Sequence, residues 1–231
     1  MLRTLFRHPQ AIARPNRLLA LILATAMGTA PVAAQTPAAR LVDSARVSYD
    51  RLTAFDDTLG LARIETLLDR ALQAFPSDPY LQHYRGLVGY RHGIVDMASN
   101  PKRASINLTL AAGMLSSADA KLPWPESAAL LSSTYGLLIA LDQSRAMELG
   151  PQIGELQGRA LAAGAQNPRV HLIIGQGLAN TPTEWGGGIE KGLALINKAI
   201  ALFATDKPAP LAPTWGREEA QAALARLNKS F

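Results

Sequence analysis

The chain repeats itself, and that constrains its fold more than any other feature. Ala71-Leu-Gln-Ala-Phe-Pro-Ser-Asp-Pro79 aligns without gaps on Ala160-Leu-Ala-Ala-Gly-Ala-Gln-Asn-Pro168, and each is followed, seven residues beyond its last proline, by a glycine: Gly86 and Gly175. A third stretch ends similarly, as Ala199-Ile-Ala-Leu-Phe203. Each residue of this junction has a physical job. The small Ala71 or Ala160 lets two helices approach closely, the Asp-Pro or Asn-Pro pair closes a connection and opens the next helix with proline in its first turn, and the glycine allows a second close contact. Two helices joined this way cannot cover their own apolar faces, so successive pairs must stack.

Apolar residues recur at i, i+3, i+4 and i+7, and proline, glycine and asparagine punctuate the runs. This spacing predicts helices near 38–53, 59–75, 79–92, 101–118, 125–141, 144–164, 168–179, 187–204 and 216–228. Apolar residues make up 48% of the chain and charged residues 18%, a mix suited to packed helices and unsuited to disorder. There are no cysteines, which excludes disulfides, thiolate metal sites and a cysteine nucleophile. Stability has to come from packing.

The junctions resemble the tetratricopeptide repeat, a 34-residue pattern of paired antiparallel helices. Gly86, Ala71 and Pro76 fall in register with that pattern, and Leu68, Ile64 and Phe55 occupy positions it keeps apolar. The sequence departs from it where Arg85 replaces a usual leucine, where Ala165 replaces the closing proline, and where the two best matches lie 89 residues apart. The resemblance covers most of 38–204 and implies an all-α fold, a right-handed α-α superhelix of antiparallel helix pairs with a concave and a convex side. A vaguer resemblance, carried by Asn167-Pro-Arg169, Gly175, Thr181-Pro-Thr-Glu-Trp-Gly-Gly-Gly188, Lys191 and Pro213-Thr-Trp-Gly216, is to exported bacterial repeat proteins. It bears on compartment and fold and adds no activity.

Residues 1–34 look like an address. A basic stretch ending at Arg17 precedes the apolar run Leu18 to Ala26, and Met27-Gly-Thr-Ala-Pro-Val-Ala-Ala34 places small residues at Val32 and Ala34. This is the layout of a secretory signal peptide, with cleavage expected between Ala34 and Gln35 and a periplasmic or secreted destination. A membrane anchor needs about 20 apolar residues, and this run is shorter and broken by Gly28 and Pro31. Residues 35–231 are then expected to form one domain. Of the five net positive charges, four are arginines within the first 34 residues, so the remainder carries +1 and lacks an electrostatic footprint for nucleic acid.

No residue set reaches the standard of a catalytic site, and neither cofactor nor metal is expected. His83 and His92 are nine residues apart, which puts them on opposite faces of one helix, and His171 opens the run His-Leu-Ile-Ile. The serine pairs at 116–117 and 132–133 lack a Gly-x-Ser-x-Gly elbow, and Asp56-Asp57 and Glu218-Glu219 fall near helix starts, where they complement the macrodipole. Gly186-Gly187-Gly188 precedes a helix but follows no strand, so it is expected to be a tight connection with positive φ, with Trp185 packed as a lid. Trp124, Trp185 and Trp215 are expected to anchor one helix pair on the next, or, should they converge, to cage a ligand.

On the superhelix expectation, the concave face carries Tyr80, His83, Leu87, Tyr90 and Arg91 from one repeat and Arg169, Leu172, Gln176, Ala179 and Asn180 from another. That mixture of aromatic, aliphatic and cationic groups suits an extended protein or peptide partner, with Leu87 and Leu172 the best candidates for internal packing instead. The first functional expectation is therefore a periplasmic scaffold or accessory of an envelope system. The alternative is a small-molecule or lipid carrier, associated with a transporter and built around an internal cavity; a shallow open groove would favour the first, a deep internal cavity lined by Leu, Ile and Met the second.

Overall fold

The computed structural model describes residues 36–52 and 54–229. The predicted signal peptide and its cleavage site lie outside them. Nine α-helices and no strands occur among the described residues: α1 (Pro37–Asp50), α2 (Thr58–Ala74), α3 (Pro79–Asp96), α4 (Pro101–Asp119), α5 (Pro125–Leu141), α6 (Ala146–Ala163), α7 (Pro168–Ala179), α8 (Ile189–Phe203) and α9 (Arg217–Leu227). None is long and apolar enough to cross a membrane.

The start signals work as expected. Five helices, α1, α3, α4, α5 and α7, open with proline, whose missing N–H is no loss in the first turn. Polar side chains cap four of these: Thr36 accepts from Ala39 N–H, Asp78 from Tyr80 and Leu81, Asn100 from Arg103, and Asn167 from Arg169 and Val170. Asp57 caps α2 through Gly60 N–H at 2.8 Å, so one of the two aspartates there has a structural use.

Consecutive helices pack as antiparallel pairs, α1/α2, α3/α4, α5/α6 and α7/α8, while α1, α3, α5 and α7 also touch in sequence along one layer. The repeat residues sit at the closest approaches. Ala71, Ala160 and Ala199 are buried. A Cβ on Gly86 would lie 2.5 Å from the Leu115 side chain, and one on Gly192 would lie 2.7 Å from the Gly175 carbonyl oxygen, so glycine is what permits α7 and α8 to meet backbone to backbone. Substituting valine at Gly192 is expected to lower folding stability by about 3 kcal/mol through overpacking, measured by urea unfolding. Alanine at Gly158, which faces open space in α6, should leave stability unchanged or raise it by up to about 1 kcal/mol.

One large core runs through α1 to α7, and a second joins Leu172 of α7, Ile196, Ala199 and Phe203 of α8, and Ala220, Ala223 and Leu227 of α9. The apolar stripe of the last helix thus docks on α8. Between these two helices, residues 204–216 form a proline-containing strap that turns back toward α1 and α3.

Candidate functional site: an aromatic cleft closed by the C-terminal strap

The layer of α1, α3 and α7 forms a cleft whose fourth wall comes from the strap and α9. Tyr49 of α1, Phe55 of the following loop, Leu87, Tyr90, Arg91 and Ile94 of α3, and Ile173 and Gln176 of α7 face Trp215 and Glu219. The two repeats from which partner-facing residues were expected therefore do converge, contributing Leu87, Tyr90, Arg91 and Gln176. The space left is about 20 Å³, room for roughly one water.

Arg91 is the centre of the cleft. Its Nε donates to Phe55 O (2.9 Å), one terminal nitrogen to Ala54 O (3.0 Å), and the other to Tyr49 Oη (3.1 Å) and Glu219 Oε1 (3.0 Å). The guanidinium also lies over the rings of Phe55 (4.4 Å) and Tyr49 (5.2 Å), so it is held by aromatic faces as well as by oxygens. Burial raises the pKa of the Tyr49 phenol, and does the same for Tyr90, whose Oη lies 3.0 Å from Ser133 Oγ. Both stay neutral hydrogen-bonding groups at physiological pH.

The strap is tied down at several points. Tyr84 Oη donates to Leu211 O at 2.9 Å, Arg46 reaches Thr214 Oγ1 at 3.2 Å, Thr214 bonds Asp50, and Trp215 tilts against Tyr49 with ring centroids 6.1 Å apart. Leu211 has φ 66°, a left-handed conformation that leucine rarely adopts. A second, wider cavity of about 590 Å³ lies between α1 and the strap, lined by Arg40, Asp43, Arg46, Leu211 and Thr214 among others. The two spaces share no lining residue, and the wide one is an open depression whose walls include the exposed Arg40, Asp43 and Thr214.

The remaining expected residues lie elsewhere. Tyr80 and His83 meet Trp124 edge-on, at 4.9 and 5.1 Å, which fixes the start of α5 on α3. His83 is fully buried, with Nδ1 2.8 Å from Ser127 Oγ and Nε2 buried without a hydrogen-bond partner. Serine and histidine are thus adjacent, but both are sealed from solvent and the ring's other nitrogen has no orienting carboxylate, as a nucleophile–base pair requires. His92 turns the other way, to Glu65 of α2 at 2.9 Å, and His171 lies 3.0 Å from Ala165 O. No cluster of metal-ligating side chains occurs among the described residues.

Arg169 is 2% exposed and binds Asp206 of the strap at 2.8 Å, with Phe203 beneath it, and Leu172 is core. Ala179 is half-buried, and Asn180 is exposed and donates to Gln176 O. Gly186 and Gly188 have the expected positive φ, 85° and 125°, but Trp185 does not pack as a lid: it is 76% exposed. A three-residue 3₁₀ turn at Thr183–Trp185 points its ring outward. The three tryptophans do not form a cage, since Trp124 packs on Tyr80 and His83, Trp215 on Tyr49, and Trp185 faces solvent.

Sequence reasoning missed the strap and Glu219. The partner of Arg91 is 128 residues away, and nothing local signals the pairing.

Fold and site together define a helical-repeat-like, all-α protein with an aromatic, cationic cleft covered by its own C-terminal segment. No protein-family model and no curated protein matches the chain. Among solved structures it is similar to the HusA haemophore from Porphyromonas gingivalis, with a TM-score of 0.67 and 23% sequence identity over 84% of this chain and 94% of that one. At this identity the likeness establishes the fold alone. The neighbour is not a tetratricopeptide protein, so the sequence resemblance to that family holds at the level of a helical-repeat-like, all-helical fold.

Proposed function

We propose that this chain is an exported carrier of a small, flat, largely apolar ligand of the haem class, the internal-cavity alternative of the sequence expectations. The observation that carries this is the cleft. Four aromatic side chains, Tyr49, Phe55, Tyr90 and Trp215, line one cleft with the buried cation Arg91 beneath a strap. A few placed polar groups amid aromatic and apolar walls are what small-molecule sites use for orientation. The structural neighbour, a haemophore, supports the same ligand class and an exported location. The basic-apolar-small layout of residues 1–34 supports export independently.

Further elements of this proposal are a right-handed superhelical stacking of the pairs and the absence of a catalytic role. A peptide scaffold stands second, because an extended chain needs an open groove and residues 211–219 cover this one. The test is a titration of the full chain with haem, followed by absorbance and by tryptophan fluorescence. One-to-one binding that quenches Trp215 and is weakened at least tenfold by Gln176→Arg, at a half-buried position on the cleft wall, supports the carrier. Haem binding indifferent to that substitution, or none at micromolar concentration, contradicts it.

A further inference from the structure

Among the described residues, the one anion on the cleft's cation is the chain's own Glu219. Of Arg91's four hydrogen-bonding partners, two are carbonyl oxygens and one is a neutral phenol; Glu219 alone carries charge. Both sides of the pair are withdrawn from water, the arginine side chain being 7% and the glutamate 24% exposed. Glu219 is delivered by α9, whose apolar face docks on α8, and by a strap whose bend includes a left-handed leucine. Its carboxyl is poorly accommodated: burial raises its pKa, against the opposing pull of Arg91. In the same cleft the Trp215 indole N–H is buried without an acceptor.

A space of about 20 Å³ admits no ring, so a flat ligand enters only as the strap retracts. Retraction of the strap together with the first turn of α9 takes Glu219 away and leaves the buried guanidinium with neutral partners only, which is unfavourable. The incoming molecule removes that penalty if it brings an anion of its own. We infer that Glu219 is a placeholder for a ligand carboxylate: a flat apolar ring with a pendant carboxylate binds by taking Glu219's position on Arg91, and the return of Glu219 drives release. The exchange is of one carboxylate for another on the same donors, so Arg91 keeps its geometry throughout. The unpaired indole N–H offers a donor to a second ligand acceptor. The site therefore selects acids over their esters. This inference rests on the carrier function proposed above and specifies how that site recognises and releases its cargo.

The experiment compares protoporphyrin IX, which has two carboxylates, with its dimethyl ester, which has none. Affinities of the full chain are measured by fluorescence in one detergent-containing buffer for the wild type, Glu219→Gln and Arg91→Gln. The wild type is expected to bind the diacid at least tenfold more tightly than the diester, and Arg91→Gln to lose that preference. Glu219→Gln keeps the side chain's shape but offers a neutral amide, a weaker competitor for the guanidinium, so the diacid should bind about tenfold more tightly to it. Porphyrin binding that is intact but blind to the ester, or unchanged by Glu219→Gln, overturns the inference and leaves the carrier function standing. No porphyrin binding by any form contradicts the carrier function and the inference with it. Should Arg91→Gln fail to fold, the Glu219→Gln comparison decides alone.

Discussion

Arg91→Ala is expected to lower folding stability by about 3 kcal/mol, more than Glu219→Ala does. Removing the guanidinium strands a largely buried carboxylate and also leaves Ala54 O, Phe55 O and Tyr49 Oη without their donor. Breaking a buried pair from one side costs about 3–5 kcal/mol, and the 24% exposure of Glu219 places the effect at the low end, because water reaches part of the orphaned charge. Removing Glu219 instead leaves Arg91 with three oxygen partners and two aromatic faces, so about 1–2 kcal/mol is expected. Urea unfolding of the two variants and the double variant measures both costs and their coupling. A loss below about 1 kcal/mol for Arg91→Ala would show the pair behaving as a surface salt bridge.

The second large effect is acid sensitivity through His83. Its ring is fully buried among Tyr84, Trp124 and the Ser127 hydroxyl, and burial depresses its pKa from 6.5 to about 3. A histidine with a lowered folded pKa is protonated first in the unfolded chain. Stability is therefore undiminished above pH 6.5 and falls as the pH drops from there toward 3. At about 1.4 kcal/mol per pH unit, this one residue accounts for a loss of about 2 kcal/mol between pH 7.5 and pH 5. His83→Gln keeps a neutral hydrogen-bonding group next to Ser127 and should lack that component. Unfolding curves at the two pH values check it; an equal acid loss in the variant would place the sensitivity elsewhere.

Most of the helical framework was legible because its signals are local. Proline at the first helical position, preceded by Thr36, Asp78, Asn100 or Asn167, marks four starts directly in sequence, and the paired Ala71/Gly86 and Ala160/Gly175 mark where helices approach. Helix ends drifted by a few residues: α1 stops at Asp50, not 53, and α3 continues to Asp96, where Asp96 ties Arg103 and Asn107 of α4 to its end. The site was only half legible. Counting along the repeat found Leu87, Tyr90, Arg91 and Gln176, but it presented them as an open groove.

What closes the groove is non-local. Leu211 reaches Tyr84, Thr214 reaches Arg46 and Glu219 reaches Arg91, over separations of 127, 168 and 128 residues. No periodicity encodes such contacts. Glu219 looked like an ordinary helix-start acid, and it does occupy the first turn of α9; its second use emerges only once the strap is folded back. Trp185 failed for a related reason. Its neighbouring glycines fix the turn, but whether a ring at that turn finds a surface depends on the adjoining pair.

The most direct measurement of the central claim is a backbone amide chemical-shift map of the full chain titrated with haem-class ligand, using diamagnetic protoporphyrin IX. The perturbed amides are expected to cluster at residues 49–52, 54–55, 87–94, 173–176 and 211–219, on the walls of the cleft, its strap and the start of α9. Perturbations confined to α2, α4 and α6, or a spectrum that does not change, would contradict it.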